Sequence, residues 1–375
     1  MIYFDNAATT KPSKTALEKA NVYNEQYYFN PSALYRGGLK CHNEIREAKI
    51  LILKCLGLSE NEYEVIFTSC GSESDNTAIF GAVKHGRFLT DLGEHSAVIK
   101  CFNELKNRGE EVCFLGLNKE GSVNETELYD YVSKNNVDFV SIMHVNNETG
   151  AINDINKISK KLKQINPQII FHSDVVQSFG KIKTNLSKDI DLYSISSHKI
   201  NGLKGVGALV KKKSLHIKPL ILGGGQENGF RSGTENVFGI KVFQNVIEEH
   251  YNYIEQNYEK VNEIKAYIKN GIDKSIFSII SGENSSPYIL SISAVGLRGE
   301  VLMHALEESD IIVGNGSACS SKNRYSRIIE ACGYDKNTLD GILRISFSQE
   351  NTIEEAKIFV QELNKHAKKL KGIMR

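Results

Sequence analysis

The residues best suited to chemistry sit at the ends of short apolar runs. Ser194-Ile195-Ser196-Ser197-His198-Lys199 joins small hydroxyls, a histidine and a lysine just before the glycine-rich turn Asn201-Gly202-Leu203-Lys204-Gly205. A lysine beside a bound anion and shielded from water can form a Schiff base with a carbonyl. A solvated anion-binding loop has the same composition. His172-Ser173-Asp174-Val175-Val176-Gln177 ends another apolar run in a carboxylate, which is costly to bury unless it caps a helix or meets a positive charge. At a second strand end Asp174 suits a protonated pyridine nitrogen, and Gln177 could donate to a phenolate oxygen.

Other stretches add partners. Phe67-Thr68-Ser69-Cys70-Gly71-Ser72 reads as strand, glycine turn and helix start, either a phosphate cup or a serine N-cap. No G-x-x-x-x-G-K-[ST] or G-x-G-x-x-G pattern occurs, which disfavours nucleotide sites of those types. Met143-His144-Val145-Asn146-Asn147-Glu148 ends a strand in side-chain amides; His95 stands alone in Glu94-His95-Ser96. Cys319 lies in Gly314-Asn315-Gly316-Ser317-Ala318-Cys319-Ser320-Ser321, a stretch with too little apolar bulk to bury a thiol. Arg344, charged within a strand pattern, calls for a carboxylate from protein or substrate.

The elements that must position these residues alternate. Helices are expected over 15–28 and 40–56, then strand 64–68 and a helix from 70 to about 84. Further strands fit 112–115, 137–145, 168–172, 191–195 and 206–210, with helices 125–134 and 154–165 between them. This is an α/β pattern with a mostly parallel sheet. One long helical pattern, Val237 to about Asn270, is expected to link it to a smaller α+β part with strands near 276–280, 288–293, 311–313 and 343–347. The divisions expected are an arm 1–14, a large domain 15–240 and a small domain 241–375 carrying the Cys319 loop, against which the N-terminal segment can also pack.

Lys+Arg 46 against Asp+Glu 45 leaves a net charge of +1, so no broad basic face invites nucleic acid or anionic lipid. No signal-peptide pattern and no bilayer-length apolar run is seen. Seven cysteines without a C-x-x-C pair argue for a reducing cytoplasm and against a structural zinc site, so no metal is expected.

Together the motifs closely resemble the cysteine desulfurases of the NifS/IscS type, pyridoxal-phosphate enzymes of the class V aminotransferase family. The resemblance runs from Tyr3-Phe4-Asp5-Asn6-Ala7-Ala8-Thr9-Thr10 to Arg344-Ile345-Ser346. It is carried by Ser72-Glu73-Ser74-Asp75-Asn76, His144-Val145-Asn146-Asn147-Glu148, Ser197-His198-Lys199, Arg231-Ser232-Gly233-Thr234 and Gly316-Ser317-Ala318-Cys319. It implies the aspartate aminotransferase-like α/β fold, with a mostly parallel seven-stranded sheet in the large domain.

By that resemblance Lys199 holds pyridoxal 5'-phosphate covalently and moves protons at the substrate α-carbon. Asp174 pairs the ring nitrogen, Gln177 and Asn147 bond near the ring oxygen, and His95 stacks on the ring and assists proton transfer. Gly71, Ser72, Ser196, Ser197 and His198 hold the phosphate, joined by Thr234 of the second copy in a homodimer with shared sites. Asn30, Asn147 and Arg344 fix the carboxylate of L-cysteine. The Cys319 thiolate attacks the substrate sulfur, releasing L-alanine and leaving a persulfide for an acceptor protein, an iron–sulfur scaffold or a thiolation enzyme. Cys319 could also ligate a cluster transiently on such a scaffold. Rival expectations are a selenocysteine lyase, an aminotransferase with the same cofactor, or a non-catalytic scaffold. Departures from the family pattern are Tyr35, Cys70, Ser72, Gln349 and Val175, the last expected under the ring where a small alanine is usual.

Overall fold

The computed structural model describes residues 1–183, 185–316 and 325–373. The arm holds β1 (Ile2–Phe4), followed by helices α1 (Lys14–Gln26) and α2 (Arg36–Leu56). Alternation then runs β2 (Tyr63–Thr68), α3 (Gly71–Ala82), β3 (Arg87–Asp91), α4 (Ser96–Asn107), β4 (Glu111–Leu115), α5 (Glu125–Lys134), β5 (Phe139–Ser141), α6 (Ile155–Ile165), β6 (Ile170–Asp174), β7 (Leu192–Ser196) and β8 (Gly207–Lys212). The remainder is α7 (Val237–Tyr251), α8 (Ile254–Gly271), β9 (Phe277–Ile279), β10 (Ile289–Ala294), α9 (Gly299–Glu307), β11 (Ile311–Val313), α10 (Arg327–Ala331), α11 (Lys336–Asp340), β12 (Ile342–Ser346) and α12 (Ile353–Ile373).

Seven strands form one sheet in the order β2-β8-β7-β6-β5-β3-β4. Only β8 runs against its neighbours; the β7-β6-β5-β3-β4 pairs are parallel. Strands of such a sheet are covered on both faces, which is why β7 is buried at every position. The parallel arrangement also brings the carboxyl ends of β5, β6 and β7 to one edge, where ligands of open α/β sheets bind.

Two larger cores separate along the chain. Val242, Phe243, Val246 and Ile247 of α7 belong to the core beneath the seven-stranded sheet. Val261, Ile264 and Ile268 of α8 join Phe4 and the antiparallel β12-β10-β9 sheet in the other. This corrects the single helix expected over 237–270. The helical pattern changes burial partner at Asn252–Tyr253, and Tyr253, at φ −130° and ψ 20°, leaves helical geometry. The arm crosses to the second core: Ile2, Tyr3 and Phe4 pair in parallel with Ile311, Ile312 and Val313.

Two further differences affect the site. Strand β3 and helix α4 were not expected, because Arg87 and Asp91 at the strand's ends mask its apolar centre; yet β3 lies between β5 and β4, and its loop into α4 carries His95. The long strand expected over 137–145 keeps only Phe139–Ser141 in regular pairing. Beyond it the chain stays extended through His144 N–H to Asp174 carbonyl, 3.0 Å, before turning. No helix among the described residues is long and apolar enough to cross a membrane.

Candidate active site

A cavity of about 370 Å³ opens at the carboxyl edge of the sheet. Its wall includes Gly71, Ser72, His95, Asn147, Asp174, Gln177, Ser196, His198, Lys199 and Arg344, so residues scattered over most of the chain converge. Lys199 closes a short 3-10 turn directly after β7, and its Nζ donates to the carbonyls of Ala7 and Ala8, both 2.8 Å. The arm therefore covers the amine, a contact the sequence reading missed although it noted the small residues at 7–8.

Asp174 is the last residue of β6 and 7% exposed. Burial pushes its carboxyl up to about 6, against the Val176 N–H at 2.8 Å and the nearby Lys199 charge. Asp75, on the buried face of α3 and also on the cavity wall, is raised well above the carboxylate range by burial and then by Asp174. A cation placed between such carboxyls returns charge balance to the pocket. The Val176 side chain lines the cavity, whereas Val175 packs into the large core. This corrects the expectation for Val175: alternation out of β6 sends residue 175 away from the pocket.

His95 caps α4, its Nδ1 accepting from Ala97 N–H at 3.2 Å. Burial, then the charges of Lys199, Arg327 and Arg344, hold its pKa down to about 4. The ring is thus neutral at pH 7 with its proton on Nε2. It presents a donor, and it can take up a proton only by releasing the cap.

At one end of the cavity α3 begins. A side chain at Gly71 would meet Val176 Cγ2 at 3.1 Å and Ser196 Cβ at 3.4 Å, so glycine permits the helix terminus to approach the strand ends. Ser196 Oγ is buried with no hydrogen-bond partner. A helix N-terminus, an unpartnered hydroxyl and His198 fit a phosphate. Ser197, expected to contribute, is fully buried and off the cavity wall; a side chain at Gly202 would sit 1.9 Å from its Oγ, so it points beneath the following turn.

At the other end Arg344 enters from β12. Its Nη2 donates to Asp5 Oδ1 at 2.8 Å and Nη1 to the Asn147 carbonyl at 3.1 Å, while buried Nε has no partner. Asn147 Oδ1 is likewise buried and unpartnered. These two polar atoms fit the carboxylate and amino groups of an amino acid. Asn315 and Gly316 complete this wall, and Glu148 beside them accepts from Ser326 Oγ. Cys319 lies outside the described residues.

Thr234 and Asn30 are not brought to this cavity by their own chain. Thr234 is exposed and lines a separate depression with Ser69, Arg231 and Glu235. Asn30 is exposed and accepts from Ser32 N–H at 2.9 Å, within its own turn. Gln349 has a structural place: its amide donates to Asn201 Oδ1 at 2.9 Å and His250 Nε2 at 3.0 Å, tying the turn after Lys199 to α7. Asp75, Glu148, Ala7 and Ala8 are among the wall residues the motifs did not single out; their motifs were visible, but burial and direction were not. The fit of the pocket to pyridoxal phosphate rests on the orphaned Ser196, Asn147 and Arg344 atoms together with buried Asp174 and the nearby Lys199 amine.

The aminotransferase class-V model matches residues 2–359. A NifS/IcsS protein homolog of Lactobacillus delbrueckii subsp. bulgaricus is 37% identical, covering 99% of both chains. A protein named cysteine desulfurase IscS, from Dictyoglomus turgidum, is 34% identical over 99% of this chain and 96% of its own. Among solved structures a NifS-like protein superposes with a TM-score of 0.90 at 31% identity, over 97% of this chain and 98% of the other. With the sheet order, the cavity and its lysine in place, the chain belongs to the class-V aminotransferase family.

Proposed function

We propose that this protein is a pyridoxal-phosphate-dependent cysteine desulfurase, forming L-alanine and a persulfide on Cys319. The observation that carries the reading is one cavity uniting Lys199, Asp174, His95 and Arg344, with Gly316 on its wall three residues before Cys319.

Bound here, the cofactor supplies an electron sink for charge developing on an attached amino acid. Lys199 holds it covalently, Asp174 pairs its ring nitrogen and Gln177 donates to its ring oxygen. Gly71, Ser72, Ser196 and His198 take the phosphate, and neutral His95 packs against the ring. Arg344 Nε would hold the substrate carboxylate and Asn147 Oδ1 its amino group, and the Lys199 amine, once displaced from the cofactor by the substrate amine, would move the α-proton. The Cys319 thiolate then attacks the substrate sulfur: an S–S bond forms, the C–S bond breaks with its electrons passing to carbon, and protonation there yields alanine. A thiol with a pKa near about 8.5 must first lose its proton.

The exposed position of Thr234 away from its own cavity supports a homodimer in which each copy completes the other's phosphate site. Exposed Tyr28, Leu34, Tyr35, Leu39 and Leu222 supply apolar surface for such a contact. The persulfide passes to an acceptor protein, an iron–sulfur scaffold or a thiolation enzyme, in the cytoplasm.

Incubation with L-cysteine followed by peptide mass spectrometry is the test. A one-sulfur mass increase on the Cys319 peptide, with equimolar alanine, is expected. Alanine release unchanged in Cys319→Ala, or transfer of the amino group to a keto acid instead, would refute the reading in favour of a lyase or an aminotransferase.

A further inference from the structure

Lys181 takes no part in the chemistry above, yet it is 3% exposed directly behind the cavity wall. Its Nζ donates to Gln177 Oε1 at 3.0 Å and lies 5.9 Å over the Tyr288 ring; no carboxylate among the described residues forms an ion pair with it. Burial lowers its pKa to about 7, and the charges of Lys199 and Arg344 act in the same direction. Neutral His250 lies in the same region. Keeping an amine there opposes folding, since an apolar side chain of similar length would avoid the desolvation.

The hydrogen bonds indicate what the amine does. Gln177 also donates from Nε2 to the Ala7 carbonyl at 2.9 Å. The Ala7 carbonyl only accepts, which assigns Nε2 to that side and leaves Oε1 to accept from Lys181 Nζ. Nε2 keeps one further N–H, and Gln177 lines the cavity. The connection is local: Gly180, at φ +70°, turns the chain so that Lys181 comes back under Gln177.

We infer that Lys181 is a positioning residue whose bond to Gln177 Oε1 holds the glutamine with an N–H, rather than its carbonyl oxygen, toward the ligand in the cavity. The pocket then favours an acceptor oxygen at this point. That this acceptor is the ring oxygen of pyridoxal phosphate rests on the proposed function. Without Lys181 the Ala7 carbonyl alone orders the amide, and an amide turned over would set its oxygen against the ring oxygen and repel it.

The test compares Lys181→Met, Lys181→Arg, Gln177→Leu and the Met/Leu double variant in two readouts. In holoenzyme without substrate, the pH midpoint of the cofactor absorbance should rise by about half a unit or more in Lys181→Met, the scale of one net hydrogen bond. Arginine should restore part of the shift, and Lys181→Met should add nothing in the Gln177→Leu background. In cofactor-free protein, the Gln177 side-chain amide resonances should move in Lys181→Met. If methionine prevents folding, Lys181→Gln makes the same comparison. A change in thermal stability alone, or shifts that add in the double variant, would overturn the assignment. Wild-type protein that acquires no cofactor absorbance would overturn the function instead, while the amide resonances still decide the role of Lys181.

Discussion

The two ends of the cavity are built differently. The phosphate end comes from α3 and the β7 turn, packed on one sheet, with Gly71 and Ser196 in direct approach. The carboxylate end is assembled from three distant parts: Asp5 in the arm, Asn147 after β5 and Arg344 in β12, spread over both larger cores. A rigid single-core end suits permanent retention of a cofactor. An end spanning two cores suits a ligand that comes and goes, because small relative displacements of the cores alter its geometry.

Variants can separate these roles. The largest effect is expected for Lys199→Ala, which sits between the two ends. Loss of its proton transfer alone should lower kcat by about 10²–10⁴-fold, and peptide mapping after borohydride reduction should find no cofactor-modified peptide. Arg344→Lys should raise KM for cysteine about 10–100-fold while leaving cofactor retention unchanged, because a point charge replaces the planar fork. Ser196→Ala should do the reverse, weakening cofactor binding about tenfold with KM little altered. Equal responses of KM and cofactor affinity to both changes would abolish the distinction.

A smaller effect is expected from acidification. Buried His144, His172 and His250 have folded pKa values lowered to about 4, 3 and 4, so the unfolded chain binds more protons once pH falls below its ordinary histidine value near 6.5. Their contribution to stability is fully present above about pH 6.5 and is lost progressively toward pH 4, by roughly 1–3 kcal/mol per histidine. Denaturant unfolding at pH 7.5 and pH 5 measures it. Unchanged stability between them would mean that these rings are not held neutral.

The same contrast governs what the sequence reveals. Phe67–Ser72 and Ser194–Lys199 were readable as strand-to-turn junctions because each is a contiguous stretch whose grammar is local. Side-chain direction was less legible: one step past β6 turns Val175 into the core and Val176 to the cavity, and the 3-10 turn after β7 carries Ser197 beneath the following turn. Arg344 announced the need for a carboxylate, but not that Asp5 would supply it, since nothing local links these positions. Strand β3 escaped notice because charged residues bound its apolar centre, and the break at Asn252–Tyr253 because helical spacing continues while the burying partner changes. Asp75 stood in a recognisable motif, but its proximity to Asp174 exists only in three dimensions.

The arm's crossing to the second core also bears on biosynthesis. Asn6 donates to the Ser346 carbonyl across 340 residues of chain, and Asp5 meets Arg344 across 339. These contacts of the arm with the second core form only once residues 344–346 have been made. The sheet and its phosphate end can fold earlier, as units do during vectorial synthesis. Ala7 and Ala8 can meet Lys199 once residue 199 has been made, but Asp5 must wait for Arg344, so a nascent chain passes through a stage with its carboxylate end unformed.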